Sequence, residues 1–457
     1  REMALPLKAE EVDALVTKQV NEVKAIDVHT HLLPPSHGLL AYGIDELLTY
    51  HYLVAELFMV LPLPSEEDSV RHPGESPSPD EFFAWGQSQQ AELVFEELFV
   101  KRTPLSEACR GVITTLNRLG LGSELRSAVQ SGTPGRRLEK IRAWYAKQDP
   151  EKHVAKVFDL AGLKYAVMTN IPFDPNEAKH WFPAKESGKL PPIPECLKPA
   201  LRIDPLFAGN WSGISIALRN ASYEETLDGC YKYIKDWVKR MQPIYLMAST
   251  PPGFSYTPSN PRKRKCEVEN GRNGSHPSGA DLLEAVVMRV AREESLPIAI
   301  KVGAIRGANP ALRTGGDAVE VADLRFLREL CKAYPNVKFL VTVLSTVNQH
   351  ELCVLARKFG NLHVYGCWWF CNNPSIIDQT TRMRLEMLGT AFTCQHSDAR
   401  VLDQLVYKWK HSREVVASVL AEQYKKLVCA GWELHESDIQ RDVELLFGGA
   451  YEAFMAK

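Results

Sequence analysis

No apolar run in the 457 residues approaches the roughly 20 needed to span a bilayer, so a transmembrane helix is not expected. The opening stretch, Arg1-Glu-Met-Ala-Leu-Pro6, lacks the charged-then-apolar layout of a signal peptide. No CxxC pair occurs among the ten cysteines. Cys367 and Cys371 come nearest, and a single CxxxC without a partner pair is poor evidence for zinc. An excess of one charge is missing too: the formal net charge of -2 gives no reason to expect nucleic acid or an anionic membrane as partner. With 45% hydrophobic and 24% charged residues, the chain reads as an ordinary soluble protein. Scattered free thiols point to a reducing, cytoplasmic compartment. The length admits two or three small domains or one large barrel with insertions.

Lys24-Ala-Ile-Asp-Val-His-Thr-His31 stands out against that background. Ala25, Ile26 and Val28 read as a buried strand. Asp27, His29 and His31 fall on alternate positions and are expected on one side of an extended chain. Two imidazoles at the C-terminal end of a strand can hold one divalent metal; the plainer alternative is a pair of polar residues at a strand end.

The stretch after His31 is helical for a long way, with apolar spacing in 44–60, 81–102, 105–119 and 134–161. A different rhythm follows. Short apolar runs at 165–170, 199–204, 244–249, 298–303, 337–343, 363–367 and 391–394 alternate with amphipathic stretches at 223–240, 280–294, 318–334, 350–359, 375–388, 401–430 and 437–455. With the first run, that makes eight strand candidates, seven of them in direct strand–helix alternation. The fold predicted is α/β, a (β/α)8 TIM-like barrel with a large helical insertion after strand 1. Its parts are 1–31 (N-terminal helix and strand 1), 32–162 (helical insertion at the active-site face) and 163–457 (the rest of the barrel). A doubly wound open sheet explains eight units less simply. Pro258 to Gly279 is polar and contains Arg262-Lys-Arg-Lys265, which reads more readily as a solvated turn than as a nucleic-acid patch.

Functional groups of such barrels gather at the C-terminal strand ends. In order those ends offer His29 and His31, Asn170, Arg202 and Asp204, Ser249, Lys301, Thr342, Trp368 and Trp369, and His396, Asp398 and Arg400. Closure of the barrel makes the first and last strands neighbours. His29, His31 and Asp398 would then form a divalent-metal site with open positions. For Asp398 the competing role is an N-cap on the helix expected near Val401. Arg202 suits either an internal pair with Asp204 or a bidentate clamp on a carboxylate. One of the adjacent Trp368 and Trp369 is expected in the core, the other in the wall of a polar pocket.

Asp27-x-His-x-His31 and Asp398 resemble the amidohydrolase superfamily. Tyr50-His-Tyr52, Gly366-Cys-Trp-Trp-Phe370 with Asn373-Pro374, Met387-Leu-Gly-Thr390 and Gln395-His-Ser-Asp-Ala-Arg-Val-Leu402 running on to Tyr407-Lys-Trp409 resemble uronate isomerase. The resemblance spans nearly the whole chain and is dense after Lys301. It implies an aldose–ketose isomerase interconverting D-glucuronate or D-galacturonate with fructuronate or tagaturonate through an enediol. It further implies that His29, His31 and Asp398 hold one metal, commonly zinc, and that Arg202 binds the sugar-acid carboxylate. His51, Tyr52, Trp369 and Arg400 would line the sugar, with Tyr52 or Asp398 handling protons, in a homo-oligomer. The chain departs from hydrolytic members of the superfamily. Strand 4 has no lysine for carboxylation, strand 5 carries Lys301 where a metal-binding histidine is usual, and strand 6 ends without histidine. A two-metal centre is therefore not expected, and a metal on three side chains would be loosely held. Two rival readings remain: a mononuclear metal-dependent hydrolase, and a sugar-acid binder without turnover.

Overall fold

The apolar runs become seven parallel strands of one sheet, taken in chain order: β1 Ala25–Thr30, β2 Leu163–Asn170, β3 Leu197–Arg202, β4 Leu246–Ser249, β5 Ile298–Val302, β6 Phe339–Val343 and β7 Leu362–Val364. The computed structural model describes residues 6–62, 76–182, 190–258 and 276–457. The basic run at 262–265 lies outside the described residues. Among them, no helix is long and apolar enough to cross a membrane.

Each strand pairs with the next, and amphipathic helices make the crossovers. Helix Leu227–Met241 is typical: the Thr226 hydroxyl caps its start by accepting from Gly229 N, and Ile234, Trp237 and Met241 are buried on its inner face. From β2 to β6 the strands alternate strictly. Val167, Ala200, Met247, Ala299 and Leu340 share one inner apolar cluster, while Met168, Leu201, Leu246, Ile300 and Val341 pack with the helices. A period of two then sends Thr169, Arg202, Ser249, Lys301 and Thr342 to the inner face one step further along. Polar groups thus converge at one end of the strands because the sequence turns from small and apolar to polar at that level.

The eighth run, 391–394, does not form a regular strand. Thr393 makes a single parallel bridge with Tyr365, and its neighbours continue as extended chain. On the other edge Asp398 N donates to His29 O at 3.1 Å and His31 N to Ala399 O at 2.8 Å. The segment therefore bonds both β7 and β1. Positive φ at Gly366 (59°) and Asp398 (52°) turns the two chains out of a ladder. Two helix limits also shift. The helix expected from 318 starts at Arg325, because Pro310 and Gly315-Gly316 instead build a turn, Pro310–Gly316. That turn joins an antiparallel pair, Ala304–Ile305 with Ala318–Val319. The helix expected at 350 already begins at Thr346. Helices between Ile44 and Tyr145 pack a second core around Leu57, Phe95, Leu116 and Ile141.

Gly366 shows how tight the closure is. A Cβ there would lie 1.8 Å from His396 Nδ1, on a backbone at φ 59° that side chains disfavour. Gly366→Ala is expected to destabilise the fold by about 2–5 kcal/mol, the sum of left-handed strain and overpacking. Thermal unfolding checks it: a drop of several degrees is expected, and an unchanged midpoint would show that the closure tolerates bulk.

Candidate active site

Period-two alternation breaks in β1. Its register with β2 shifts between Asp27 and Thr30, and Asp27 does not join the two histidines as the alternation predicts. Its carboxylate accepts from Ser397 N (3.0 Å) and from Trp409 Nε1 (2.9 Å). Lys408 Nζ donates to Ser397 O at 2.6 Å. Asp27, Trp409 and Lys408 thus grip the residue before Asp398 from both sides. Asp27 is a positioning residue. The expected cap role of Asp398 is not found: the helix begins at Gln404, whose side chain accepts from Arg400 N and Val401 N.

Held in this way, Asp398 Oδ1 lies 3.1 Å from His29 Nε2, 3.4 Å from His31 Nε2 and 2.7 Å from Lys301 Nζ. Lys301 Nζ is also 2.7 Å from His29 Nε2. One ligand atom each from His29, His31 and Asp398 falls within 4.8 Å of the others, the span of a metal-binding cluster. All four residues are buried or nearly so. Burial works to raise the Asp398 carboxyl, but the Lys301 charge and the bonds from both histidines outweigh it and hold it well below the carboxylate range. Burial, with Lys301 nearby, pushes His29 down to about 4, so its ring is neutral.

A narrow cleft opens on this cluster, lined by Arg202, Ser249, Arg306, Arg400 and both tryptophans besides His31, Lys301 and Asp398. Trp368 and Trp369 therefore share the pocket rather than dividing between pocket and core. The left-handed backbone of Trp369 (φ 47°) breaks the alternation that would separate them. The Trp368 ring lies 4.5 Å from Lys301 Nζ and the Trp369 ring 5.2 Å from the Arg306 guanidinium. His51 reaches the pocket from the helix His51–Val60 and meets Trp369 edge-on at 5.6 Å. Burial, then the Arg400 and Lys408 charges, push its imidazole down to about 3.

Tyr52 is the expected site residue that does not line this inner cavity. It faces an adjoining one with Glu56, Trp369 and Tyr407, its ring 4.6 Å from His51. Burial holds its phenol well above the ordinary value, so it keeps its proton. Arg202 gives Nε and Nη2 to Asp204 at 2.7 and 3.1 Å, the internal pair. Arg400 has no ion-pair partner among the described residues. Arg306 went unnoticed in the sequence. It directly follows the short strand Ala304–Ile305, in a stretch between the fifth strand and the helix expected from 318, and no periodic signal marks it.

Asp27→Asn tests the positioning role. The amide would aim a donor at either Ser397 N or Trp409 Nε1, leaving a buried donor unpaired at a cost of about 1–3 kcal/mol. A lower thermal midpoint together with reduced turnover is expected. Loss of stability with full turnover would show that Asp27 supports the fold but not Asp398.

No protein-family model and no curated protein matches the chain. Solved structures do. A uronate isomerase from Bacillus halodurans is 40% identical, with a TM-score of 0.84 over 99% of this chain and 97% of that one. At 15% identity, a uronate isomerase from Thermotoga maritima (TM-score 0.72, 99% of this chain and 100% of that one) and a glucuronate isomerase from Caulobacter crescentus (0.68, 99% and 97%) share the fold. With 40% identity over nearly its full length, on a barrel whose strand ends carry this pocket, the chain belongs to the uronate isomerase family.

Proposed function

We propose that the pocket interconverts a hexuronate, D-glucuronate or D-galacturonate, with its ketose, fructuronate or tagaturonate. The observation that carries the reading is a pair of buried polar atoms without protein partners in the wall of one cationic pocket, His51 Nε2 and Trp369 Nε1, with Tyr52 Oη in the cavity adjoining it. Buried groups of this kind cost free energy unless a polar ligand satisfies them. A sugar acid supplies hydroxyls along its length and a carboxylate at one end. Arg400, without an ion-pair partner among the described residues, is the carboxylate anchor, and Arg202 adds its remaining donors beside Asp204.

Aldose–ketose exchange needs a base at C2, a proton carrier between O1 and O2, and charge stabilisation at those oxygens. Asp398, ionised and held by Lys301 and both histidines, serves as the base that takes the C2 proton and returns it to C1. Tyr52, protonated and without a partner, exchanges protons with the substrate oxygens next to His51. The anchored carboxylate sets which carbon faces Asp398. The donor set of His29, His31 and Asp398 fits a divalent ion, zinc by the family likeness, which when bound would supply Lewis-acid stabilisation of the substrate oxygens. His29 Nε2 has a single lone pair, so a bound ion must take it from Lys301.

The helices of 32–162, read as an insertion at the active-site face, carry His51 to the pocket and Tyr52 to the cavity beside it. A cytoplasmic location is proposed from the unpaired thiols of the described cysteines, and a homo-oligomer on family likeness alone. Hydrolysis is not favoured by the family to which the chain belongs.

A proton NMR time course with each sugar in D2O tests the reading. Ketose signals should grow with at least one of the two, and deuterium entering C1 of the ketose would mark the enediol. Unchanged spectra with both, alongside release of product from a lactone or amide, would contradict it.

A further inference from the structure

The Lys301 side-chain nitrogen lies at the centre of this cluster, where burial pulls the amine down to about 7 and the Asp398 charge opposes that fall. Lys301 Nζ is 2.7 Å from His29 Nε2 and 2.7 Å from Asp398 Oδ1, two of the three atoms that would ligate a metal. The Trp368 ring covers another side at 4.5 Å. The position is built in: Lys301 pairs in register with Ser249 on β4 and Thr342 on β6, in the middle of a parallel sheet. Its carbonyl also accepts from Thr250 N at 2.9 Å. Only 2% of the residue is exposed.

We propose that Lys301 is the resident cation of the His29–His31–Asp398 cluster, tethered where a divalent ion would sit, and that it competes with metal for these groups. Three considerations lead there. Lysine offers three donors and no acceptor, and here finds a carboxylate, an imidazole lone pair and an aromatic face. The His29 Nε2 lone pair serves one partner at a time, whether that is an ammonium proton, a metal or its own proton. A positive charge a few ångströms from a divalent ion repels it strongly in a buried site. The ammonium can also hydrogen-bond a developing oxyanion, so the cluster carries a cation for the isomerase without metal. That last step rests on the isomerase reading; the competition does not.

The test is zinc affinity, measured by competition with a chromophoric chelator on metal-stripped wild type, Lys301→Met and Lys301→His. Removal of the competing cation should tighten zinc binding at least tenfold in Lys301→Met, and more in Lys301→His, which adds an imidazole. Equal or weaker binding in both variants would overturn the proposal. If the variants do not fold, the wild type decides. Metal-stripped enzyme, its zinc content confirmed below a tenth of an equivalent by elemental analysis, should keep at least half of its uronate turnover. Collapse of turnover on stripping, restored by one equivalent of zinc, would overturn it while leaving the isomerase reading intact. Absence of turnover under every condition counts against the isomerase reading, and the zinc comparison then judges Lys301 on its own.

Discussion

One carboxylate oxygen, Asp398 Oδ1, accepts from Lys301 at 2.7 Å and lies 3.1 and 3.4 Å from two imidazole nitrogens, all away from bulk water. Separating any of these groups from the others would leave a buried charge or polar atom without a partner, which is far more costly than loss of an exposed pair. The closure of the barrel depends on this constraint. The segment carrying Asp398 is not a regular strand, and it is held by backbone bonds to β1 and by the grip of Asp27, Trp409 and Lys408 on Ser397. Fold and site are therefore one arrangement: what closes the ring also aims the carboxylate.

Around that centre the pocket divides its tasks by residue chemistry. Arg400 has no ion-pair partner among the described residues, and Arg202 is half committed to Asp204. His51 and Tyr52, from the helical region, are kept neutral by burial. The two kinds of group interleave, since the Arg306 guanidinium lies over the Trp369 ring. The family supplies the reaction class.

Much of this was legible in the chain. The strand–helix rhythm after 162 and the polar residues at the strand ends follow from period two alone, and Lys301 is placed inward by the same count that places Ala299. Other features were not. The bulge in β1 turns Asp27 away from His29 and His31, and no pattern in 24–31 announces it. Left-handed backbone at Trp369 and Asp398 puts both tryptophans in the pocket and removes the eighth strand from the ladder; such conformations at non-glycine residues are imposed by tertiary bonds rather than local preference. Arg306 and the short strand before it carry no sequence signal, because an antiparallel pair of two residues each is too short to show periodicity. Numbers of candidate ligands could be read from sequence, whereas the ammonium lying among them required the structure.

The central claim is that the ionised Asp398 carboxylate moves the proton between C2 and C1. The most direct measurement is single-turnover rate for Asp398→Asn beside wild type, with uronate binding and thermal midpoint measured on the same samples. The account predicts a rate at least about 100-fold lower, the scale of a lost general base, in protein that still folds and binds the sugar acid. A rate within a factor of a few of wild type would contradict it and move the base to another group in the pocket.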